Sequence, residues 1–454
     1  MFRTIRITGI RLQVIISLCL YVGPIVSGYA GSWTGPVIPK LRDLGQSPLP
    51  YLLTETQLAL VGSFAYLGAI PGPYITTWLS NSRGRKPCLI ASAVFAVLGF
   101  IFLATTQNLA MVYIGRFLGS VSFGTTTVVS FVYIGEIASP SIRGILLSII
   151  GAMFTIGSIL AFSTGPYISY HGTTYIGLAL SILQLLSLLW IPESPIFYAL
   201  KGQHEELVKV LKDLGRSQDA EKLLKMGKEI TETNTKKEWM DLFVVKSNRK
   251  ALFIVMIINI LQHGSGVMAM IFFSAAIFEM AGSSIPSNIA MVIVGCCQLM
   301  GSTVTPFFIE STGRKNILAI SSAICSLSMF TLGLYFYLDL MGIAIVNNIK
   351  WLPLVVLIVF YIGYDSGFGI IPNTIMGEMF TTNVRSKGST VTMTTSWLIG
   401  FLVSTAFGAL LETVGGHVLF WFFSCVCVCA VFFTIFFVPE TKGKTLLEIQ
   451  ESLS

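Results

Sequence analysis

The stretch GEIASPSIRG, residues 135–144, follows an apolar run and places a glutamate seven residues before an arginine. Much later in the chain the stretch GEMFTTNVR, residues 377–385, follows another apolar run and repeats both charges at the same spacing. Charged residues are scarce elsewhere in these regions. The recurrence of one charged motif behind two apolar runs indicates that the chain contains a duplicated unit.

Two further pairs of charged motifs support the duplication. The triplet GRK occurs at residues 84–86 and again at 313–315, and the related triplets PES and PET occur at 192–194 and 439–441. The three pairs appear in the same order in both halves. Such an arrangement is typical of a helical unit that is repeated in parallel along the chain.

The composition predicts a membrane protein. Hydrophobic residues make up 54% of the 454 residues and charged residues only 11%, against about 25% charged residues in soluble domains. Apolar runs of about 20 residues can cross a bilayer core of roughly 30 Å. We therefore predict an all-α membrane protein in which twelve transmembrane helices form two pseudo-symmetric six-helix bundles, with spans near 12–33, 57–80, 88–105, 109–134, 144–165, 173–191, 251–280, 287–309, 316–338, 352–378, 387–411 and 417–438.

One charged segment separates the two sets of spans. Its part His204–Ile230 has helical spacing of apolar residues, with Leu207 and Leu211 on one face, and predicts short amphipathic helices. A solvated linker is the alternative. The predicted domains are a first bundle at 1–200, cytoplasmic amphipathic helices at 201–250, a second bundle at 251–438 and a cytoplasmic tail at 439–454.

The distribution of positive charge predicts the orientation. When the spans are threaded alternately, the 29 Lys and Arg fall on one side except Lys40, Arg42, Arg116 and Lys350. Basic residues mark the cytoplasmic face, so we expect a multi-pass protein with both termini cytoplasmic and no cleaved signal peptide. The net charge of +7 then reflects topology, and no nucleic-acid partner is expected.

The repeated charges predict a cytoplasmic gate, formed by acids and arginines at helix ends that hold these ends together in one state and release them in another. Exposed ion pairs contribute only about 0–1 kcal/mol each, which suits contacts that must break in every cycle. The alternative is that these charges only mark topology. The predicted gate residues are Arg85, Glu136, Arg143, Glu193, Glu310, Arg314, Glu378, Arg385 and Glu440.

Four motifs also carry a family resemblance. Residues 133–144, the stretch GRFLG at 115–119, PESP at 192–195 and PETKGKT at 439–445 resemble signatures of the sugar porters of the major facilitator superfamily. Within that family the chain is most similar to insect-type facilitated trehalose and glucose transporters. The resemblance implies facilitative transport of a sugar or polyol, such as trehalose or a hexose, by a monomer in the lipid bilayer of the plasma membrane.

The resemblance also implies a substrate groove at the seventh span, QHGSGVM at 262–268. The family's amides are missing at Gly151, Met268 and Ser396. Each missing hydrogen bond to a sugar hydroxyl would contribute about 1 kcal/mol, so the loss of all three lowers the affinity for a sugar roughly a hundredfold. The substrate therefore either binds in a different position or is not an ordinary hexose. The predicted substrate-binding residues are Gln262, His263, Ser265, Met268, Phe272, Gln298, Asn373 and Trp397.

The source of energy stays open at this stage. Proton-coupled sugar porters resemble this chain but have an Asp where Ala30 follows Gly28-Tyr29, which favours uncoupled transport. Asp365 lies deep in the tenth span and is either a gating or a proton site, and His263 is either a neutral hydrogen-bonding residue or a proton relay. A proton-coupled symporter and a non-transporting sugar sensor are the alternatives.

An enzyme is not expected from the sequence. No nucleophile–base pair or metal-ligand pattern is visible, and all eight cysteines lie inside apolar runs, which argues against a disulfide framework or a zinc site. We therefore predict no cofactor and no metal.

Overall fold

The computed structural model describes residues 8–231, 235–280, 282, 285–381, 384–442 and 448. The described residues form helices joined by turns, with no strand among them. A helix satisfies its own backbone hydrogen bonds, which is what a chain surrounded by hydrocarbon requires. The predicted all-α membrane fold is confirmed.

The helices follow the predicted order. In the first half of the chain they are α1 Ile10–Ser32, α2 Thr34–Leu41, α3 Glu55–Ala69, α4 Pro71–Ser82, α5 Arg85–Ala104, α6 Leu109–Ile137, α7 Pro140–Thr164 and α8 Tyr170–Leu189. Between the halves lie α9 Pro195–Leu200, α10 His204–Asp213, α11 Ala220–Thr231 and α12 Thr235–Val244. The second half has α13 Lys246–Gly264, α14 Val267–Phe272, α15 Ser274–Met280, α16 Ser287–Thr312, α17 Arg314–Leu340, α18 Leu352–Gly363, α19 Ile371–Met379, α20 Arg385–Val414 and α21 Gly416–Phe437.

Eleven helical stretches of the described chain are long and apolar enough to cross a membrane. The eighth predicted span corresponds to α16, which has 26 residues and is therefore about 39 Å long. Within α16, the described apolar stretch is the shorter segment Ile289–Thr303. The first span is longer than the predicted 12–33, because a second helix, α2, follows α1 directly and extends the span to Leu41. Val37 and Ile38 in α2 are fully buried, and this burial explains the extension.

Three further spans of the described chain are broken, besides the first. The second span breaks between α3 and α4 at Pro71, because proline cannot donate the helical hydrogen bond. The seventh breaks at Gly266, whose φ of 82° ends α13 in the left-handed region. The tenth passes through a π-helical turn, Tyr364–Phe368, before α19 begins. Single π turns inside α-helices occur frequently at functional sites.

The chain packs into two compact units. Unit 1 comprises Met1–Gly31, Gly68–Gly157 and Thr174–Asn234, and unit 2 comprises Ser32–Leu67, Ser158–Thr173 and Thr235–Ser454. Unit 2 therefore contains two segments from the first half of the sequence as well as the second half. This division was not visible in the repeat pattern, because a repeat shows which helices correspond and not which helices pack together.

The helices between the two halves belong largely to unit 1, and α10 is amphipathic. Leu207 and Leu211 on α10 are fully buried and pack with Ala199 of α9 and Leu223 of α11. The part of the segment that the structure describes is therefore folded around a small apolar cluster.

Candidate functional site

The first cluster of charges joins the ends of three spans in unit 1. Arg85, at the start of α5, donates from Nη2 at 2.8 Å and from Nε at 3.0 Å to the carboxylate of Glu136 at the end of α6. The Ser194 hydroxyl donates to the same carboxylate. Glu193 accepts the backbone N–H groups of Arg85 and Lys86 at 2.9 and 3.1 Å, so its negative charge caps the positive end of the α5 dipole.

The second cluster repeats these contacts in unit 2. Arg314, at the start of α17, lies with Nη2 3.2 Å from the carboxylate of Glu378 at the end of α19. The Thr441 hydroxyl donates to that carboxylate at 2.5 Å. Glu440 accepts the backbone N–H groups of Arg314 and Lys315 at 3.0 and 3.1 Å. The three repeated motifs of the sequence thus come together in each half, with the same donors and acceptors.

A glycine in each cluster makes the cap possible. Gly84 has φ 111° and Gly313 has φ 91°, a conformation that side chains other than glycine rarely adopt. A Cβ atom would lie 2.3 Å from a Glu193 oxygen at the first position and 2.6 Å from a Glu440 oxygen at the second. The glycine of each GRK triplet is therefore required by backbone geometry and by space.

The two clusters differ in burial. The side chains of Arg85 and Glu136 are 8% and 9% exposed, whereas those of Arg314 and Glu378 are 18% and 29% exposed. The expectation of weak, exposed pairs is thus wrong for the first cluster. Arg216 helps to bury the first cluster, because its Nη1 donates to the backbone carbonyl of Glu136 at 2.7 Å.

Not every predicted gate residue joins an ion pair. Arg143 donates to the carbonyl of Ala138 at 3.2 Å and Arg385 to the carbonyl of Phe380 at 3.5 Å, in each case five residues back along the chain. Both arginines therefore hold the turn between two spans. The side chain of Glu310 lies outside the residues that the structure describes.

Two polar residues at this end of unit 1 are absent from the sequence prediction. Gln13 in α1 donates to the Ser139 hydroxyl and to the Leu214 carbonyl, both at 2.8 Å, and accepts the Ser139 N–H at 2.8 Å. Arg216 also pairs with Asp219 at 2.8 Å. Gln13 and Arg216 tie the helices between the halves to the end of the first bundle. For Gln13 the available sequence signal was an amide side chain inside the first predicted span.

The seventh span, the predicted substrate groove, is joined to the broken tenth span by Gln262. Its Nε2 donates to the carbonyls of Phe368 and Gly369, both at 2.9 Å. These carbonyls are freed by the break between α18 and α19, and freed carbonyls inside a membrane need donors. The Ser265 hydroxyl donates to the Gln262 carbonyl at 2.6 Å. Both donors are thus already engaged by the protein itself.

His263 and Phe272 contact an aromatic ring that the sequence prediction missed. The Tyr66 ring from α3 stands edge-on to both, with centroid distances of 5.8 and 6.3 Å. Gly400 of α20 makes room for it, since a Cβ there would lie 2.3 Å from the tyrosine ring. The Nδ1 atom of His263 lies 3.0 Å from the Asn259 carbonyl. A carbonyl only accepts, so Nδ1 carries the proton of this contact.

The contact around Tyr66 extends along a seam of small residues between α3 and α20, all within unit 2. The Thr405 hydroxyl donates to Ser63 at 2.7 Å, and a Cβ at Gly408 would lie 2.5 Å from that of Ala59. Small residues let membrane helices approach closely. The eight-residue spacing of Gly400 and Gly408 was the sequence signal that could have identified this seam.

The other predicted substrate residues differ in burial. Phe272 and Trp397 are buried, Met268 and Gln298 are half-buried, and Asn373 is exposed. No hydrogen bond connects the last three to one another in the described chain. Among the described residues, no three His, Cys, Asp or Glu side chains come close enough to hold a metal ion.

Two positions that bear on proton coupling, Ala30 and Asp365, lie in different units. Arg116 of α6, in unit 1, is buried and donates to the backbone carbonyl of Ala30, the residue that stands in place of the acid of proton-coupled porters. Asp365 lies in unit 2, in the π turn of the tenth span. There α16 approaches closely, with a Cβ at Gly301 placed 3.1 Å from the Asp365 Cβ.

Comparison with solved structures shows the fold. The inward-open conformation of the xylose transporter XylE from E. coli matches with a TM-score of 0.79 and 21% identity, over 97% of this chain and 99% of that one. A crystal structure of a D-xylose-proton symporter matches with a TM-score of 0.75 and 20% identity, over 95% and 99% of the two chains. Both are sugar transporters, and the likeness shows that this chain shares their fold.

Comparison of sequences shows the family. The family model described as sugar (and other) transporter matches residues 17–453. The facilitated trehalose transporter Tret1 of Polypedilum vanderplanki is 32% identical over 445 residues, 97% of this chain and 88% of that protein. The Aedes aegypti and Drosophila mojavensis proteins of the same name are 31% identical over 97% of this chain, which spans 55% and 51% of their lengths, or about half. A match over nearly the whole sequence and relatives above 30% identity show that this chain belongs to the sugar transporter family.

Proposed function

We propose that the protein is a facilitative transporter of a sugar or polyol that works by alternating access. The observation that carries the proposal is the repeated charge cluster, which ties the same three span ends together in each half. A transporter of this architecture works by rocking one repeat against the other around a central site. Each repeat must then move as one body, and the two clusters supply that stiffness at the end where the charges lie.

The seam between α3 and α20 supports the same mechanism. It brings a span of the first half against a span of the second half within unit 2, and its contacts are small residues, one hydroxyl pair and aromatic edges. Such contacts can part without leaving a charge buried, unlike the pair formed by Arg85. We therefore assign the seam as the closed gate and the charge clusters as the braces of each half.

Trehalose or a hexose is the proposed substrate, in keeping with the name of the curated relatives. The donors of Gln262 and Ser265 are taken up by backbone carbonyls, so the sugar hydroxyls need other partners. His263, Gln298 and Asn373 are the remaining predicted polar partners for the sugar hydroxyls. A substrate held by these three residues would bind in a different position from the family's usual substrate. Trp397, Phe272 and Met268 would supply apolar contacts to the sugar ring.

Uncoupled transport is supported by the contact of Arg116 with the Ala30 carbonyl. A backbone carbonyl cannot release a proton, so this position cannot link substrate binding to a proton gradient. A symporter would have to use Asp365 or His263 instead. Collapse of the proton gradient with an ionophore leaves uptake unchanged in a uniporter and abolishes accumulation in a symporter.

Flux in reconstituted vesicles tests the proposal against a non-transporting sensor. Labelled trehalose, glucose and a polyol are offered separately, and uptake of at least one is expected. Gly408→Leu should abolish that uptake because the seam cannot close, whereas Gly144→Leu should retain it, since no atom lies within 4 Å of a Cβ at Gly144. Substrate-dependent change in conformation without flux would establish the sensor and refute the proposal.

The protein is a multi-pass membrane protein, and we propose the plasma membrane as its location with both termini cytoplasmic. The one-sided distribution of Lys and Arg supports the orientation. We also propose that it acts as a monomer. Accessibility of terminal epitope tags in intact and permeabilised cells tests the orientation, and mass measurement of the purified protein in detergent tests the monomer.

A further inference from the structure

Helix α12 carries apolar side chains on the face that points away from the rest of unit 2. Met240, Phe243 and Val244 are 64%, 50% and 71% exposed, and Trp239 is 38% exposed. At 100° per residue these four side chains occupy an arc of about 140° of the helix. A contiguous exposed apolar face of this kind marks an interaction surface.

The helix is held so that this face cannot turn inward. Leu242, outside the exposed arc, is fully buried. Asn248 at the start of α13 donates to the carbonyl of Asp241 at 3.1 Å and accepts from the Thr381 hydroxyl at 3.3 Å. The orientation of α12 on the protein is therefore set by packing and by hydrogen bonds.

The position of α12 along the chain places this face at a membrane surface. The seventh span begins at Lys246, two residues after the end of α12. On that span Lys246, Arg249, Lys250 and Phe253 are exposed and share one face, because they are three, four and seven residues apart. The three basic residues lie about 5–10 Å before Phe253 along the helix axis, at the end of the span.

We propose that α12 lies in the headgroup layer, with its apolar face inserted into the bilayer and with Lys246, Arg249 and Lys250 binding anionic phospholipid headgroups. Amphipathic helices with aromatic residues on the apolar side bind in this way, and tryptophan is enriched at the interface. Each basic residue near an anionic surface strengthens the attraction about fivefold. A protein partner on this face is disfavoured, because the span that begins two residues after α12 also has an exposed apolar side chain, Phe253.

Quenching of the Trp239 indole in vesicles that contain the purified full-length protein tests the proposal. The Trp239 signal is the difference between the fluorescence of the unmodified protein and that of Trp239→Phe. Trp33→Phe provides the matched reference, since Trp33 is fully buried and no quencher should reach it. Brominated phosphatidylserine, brominated phosphatidylcholine and aqueous iodide are used as quenchers in turn.

We expect Trp239 to be quenched by brominated lipid and not by iodide, with phosphatidylserine several-fold more effective than phosphatidylcholine at the same mole fraction. The double variant Arg249→Gln/Lys250→Gln should lose this preference and keep the quenching itself. Quenching by iodide alone would show a water-exposed helix, and quenching by neither would show a second copy of the chain covering it. Equal quenching by the two lipids would show that the basic residues do not prefer anionic headgroups. Each of these three results overturns the proposal.

Discussion

Replacement of Arg85 by leucine should destabilise the protein far more than replacement of Arg314 by leucine, although both arginines belong to the same repeated motif. Arg85 makes contacts of 2.8–3.1 Å with Glu136 and donates to the Ser80 carbonyl at 3.1 Å. Both partners of this ion pair are less than 10% exposed. Removal of one partner of such a buried pair costs about 3–5 kcal/mol, because the other charge stays buried without compensation.

The equivalent change in the second cluster should cost much less. Arg314 makes one contact of 3.2 Å with Glu378, and their side chains are 18% and 29% exposed. Water can solvate the remaining carboxylate, so the cost should be near the value of about 0–1 kcal/mol for surface pairs. The difference between the two variants is then about 3 kcal/mol, which corresponds to a factor of about a hundred in the ratio of folded to unfolded protein.

Thermal unfolding of the purified variants in one detergent measures this difference. Lys209→Ala is the control, since its pair with Glu206 is long and both side chains are more than half exposed; it should unfold with the unmodified protein. Glu136→Gln and Glu378→Gln complete a double-mutant cycle for each pair. Equal losses at the two arginines, or a larger loss at Arg314, would refute the assignment of the first cluster as the tighter brace.

Three other outcomes follow from the site. Gln262→Leu should destabilise by about 2–4 kcal/mol in the same unfolding assay, since it strips two buried carbonyls of their donor, whereas Gln298→Leu should cost less than about 1 kcal/mol. Ala30→Asp puts a carboxyl beside the buried Arg116 of the fourth span, and sugar uptake into vesicles should then rise with an inward proton gradient. Uptake by the unmodified protein should not change with that gradient. Arg143→Ala and Arg385→Ala should slow sugar exchange with little change in the amount of protein in the membrane; unchanged exchange in both would show that these turns do not matter for cycling.

The prediction from sequence was accurate for the helices, and the roles of the site residues stay predictions. Apolar length located the spans, and the repeated triplets located both charge clusters, including Glu193 and Glu440 at the helix starts. The sequence does not show which side chains have a backbone group as a partner. Arg143 was expected beside an acid and donates to a carbonyl. Gln262, which stays a predicted substrate residue, also donates to the broken tenth span.

The sequence by itself determined that this chain crosses a membrane many times and that its two halves repeat, because span length and charge spacing are properties of the chain order alone. Only the tertiary structure decided that Tyr66 stands between His263 and Gly400, that one cluster is buried and the other half open, and that α12 turns an apolar face outward. These features depend on how helices from distant parts of the chain approach one another. Helical periodicity defines the face on which a residue lies, and the packing of the neighbouring helices determines what that face meets.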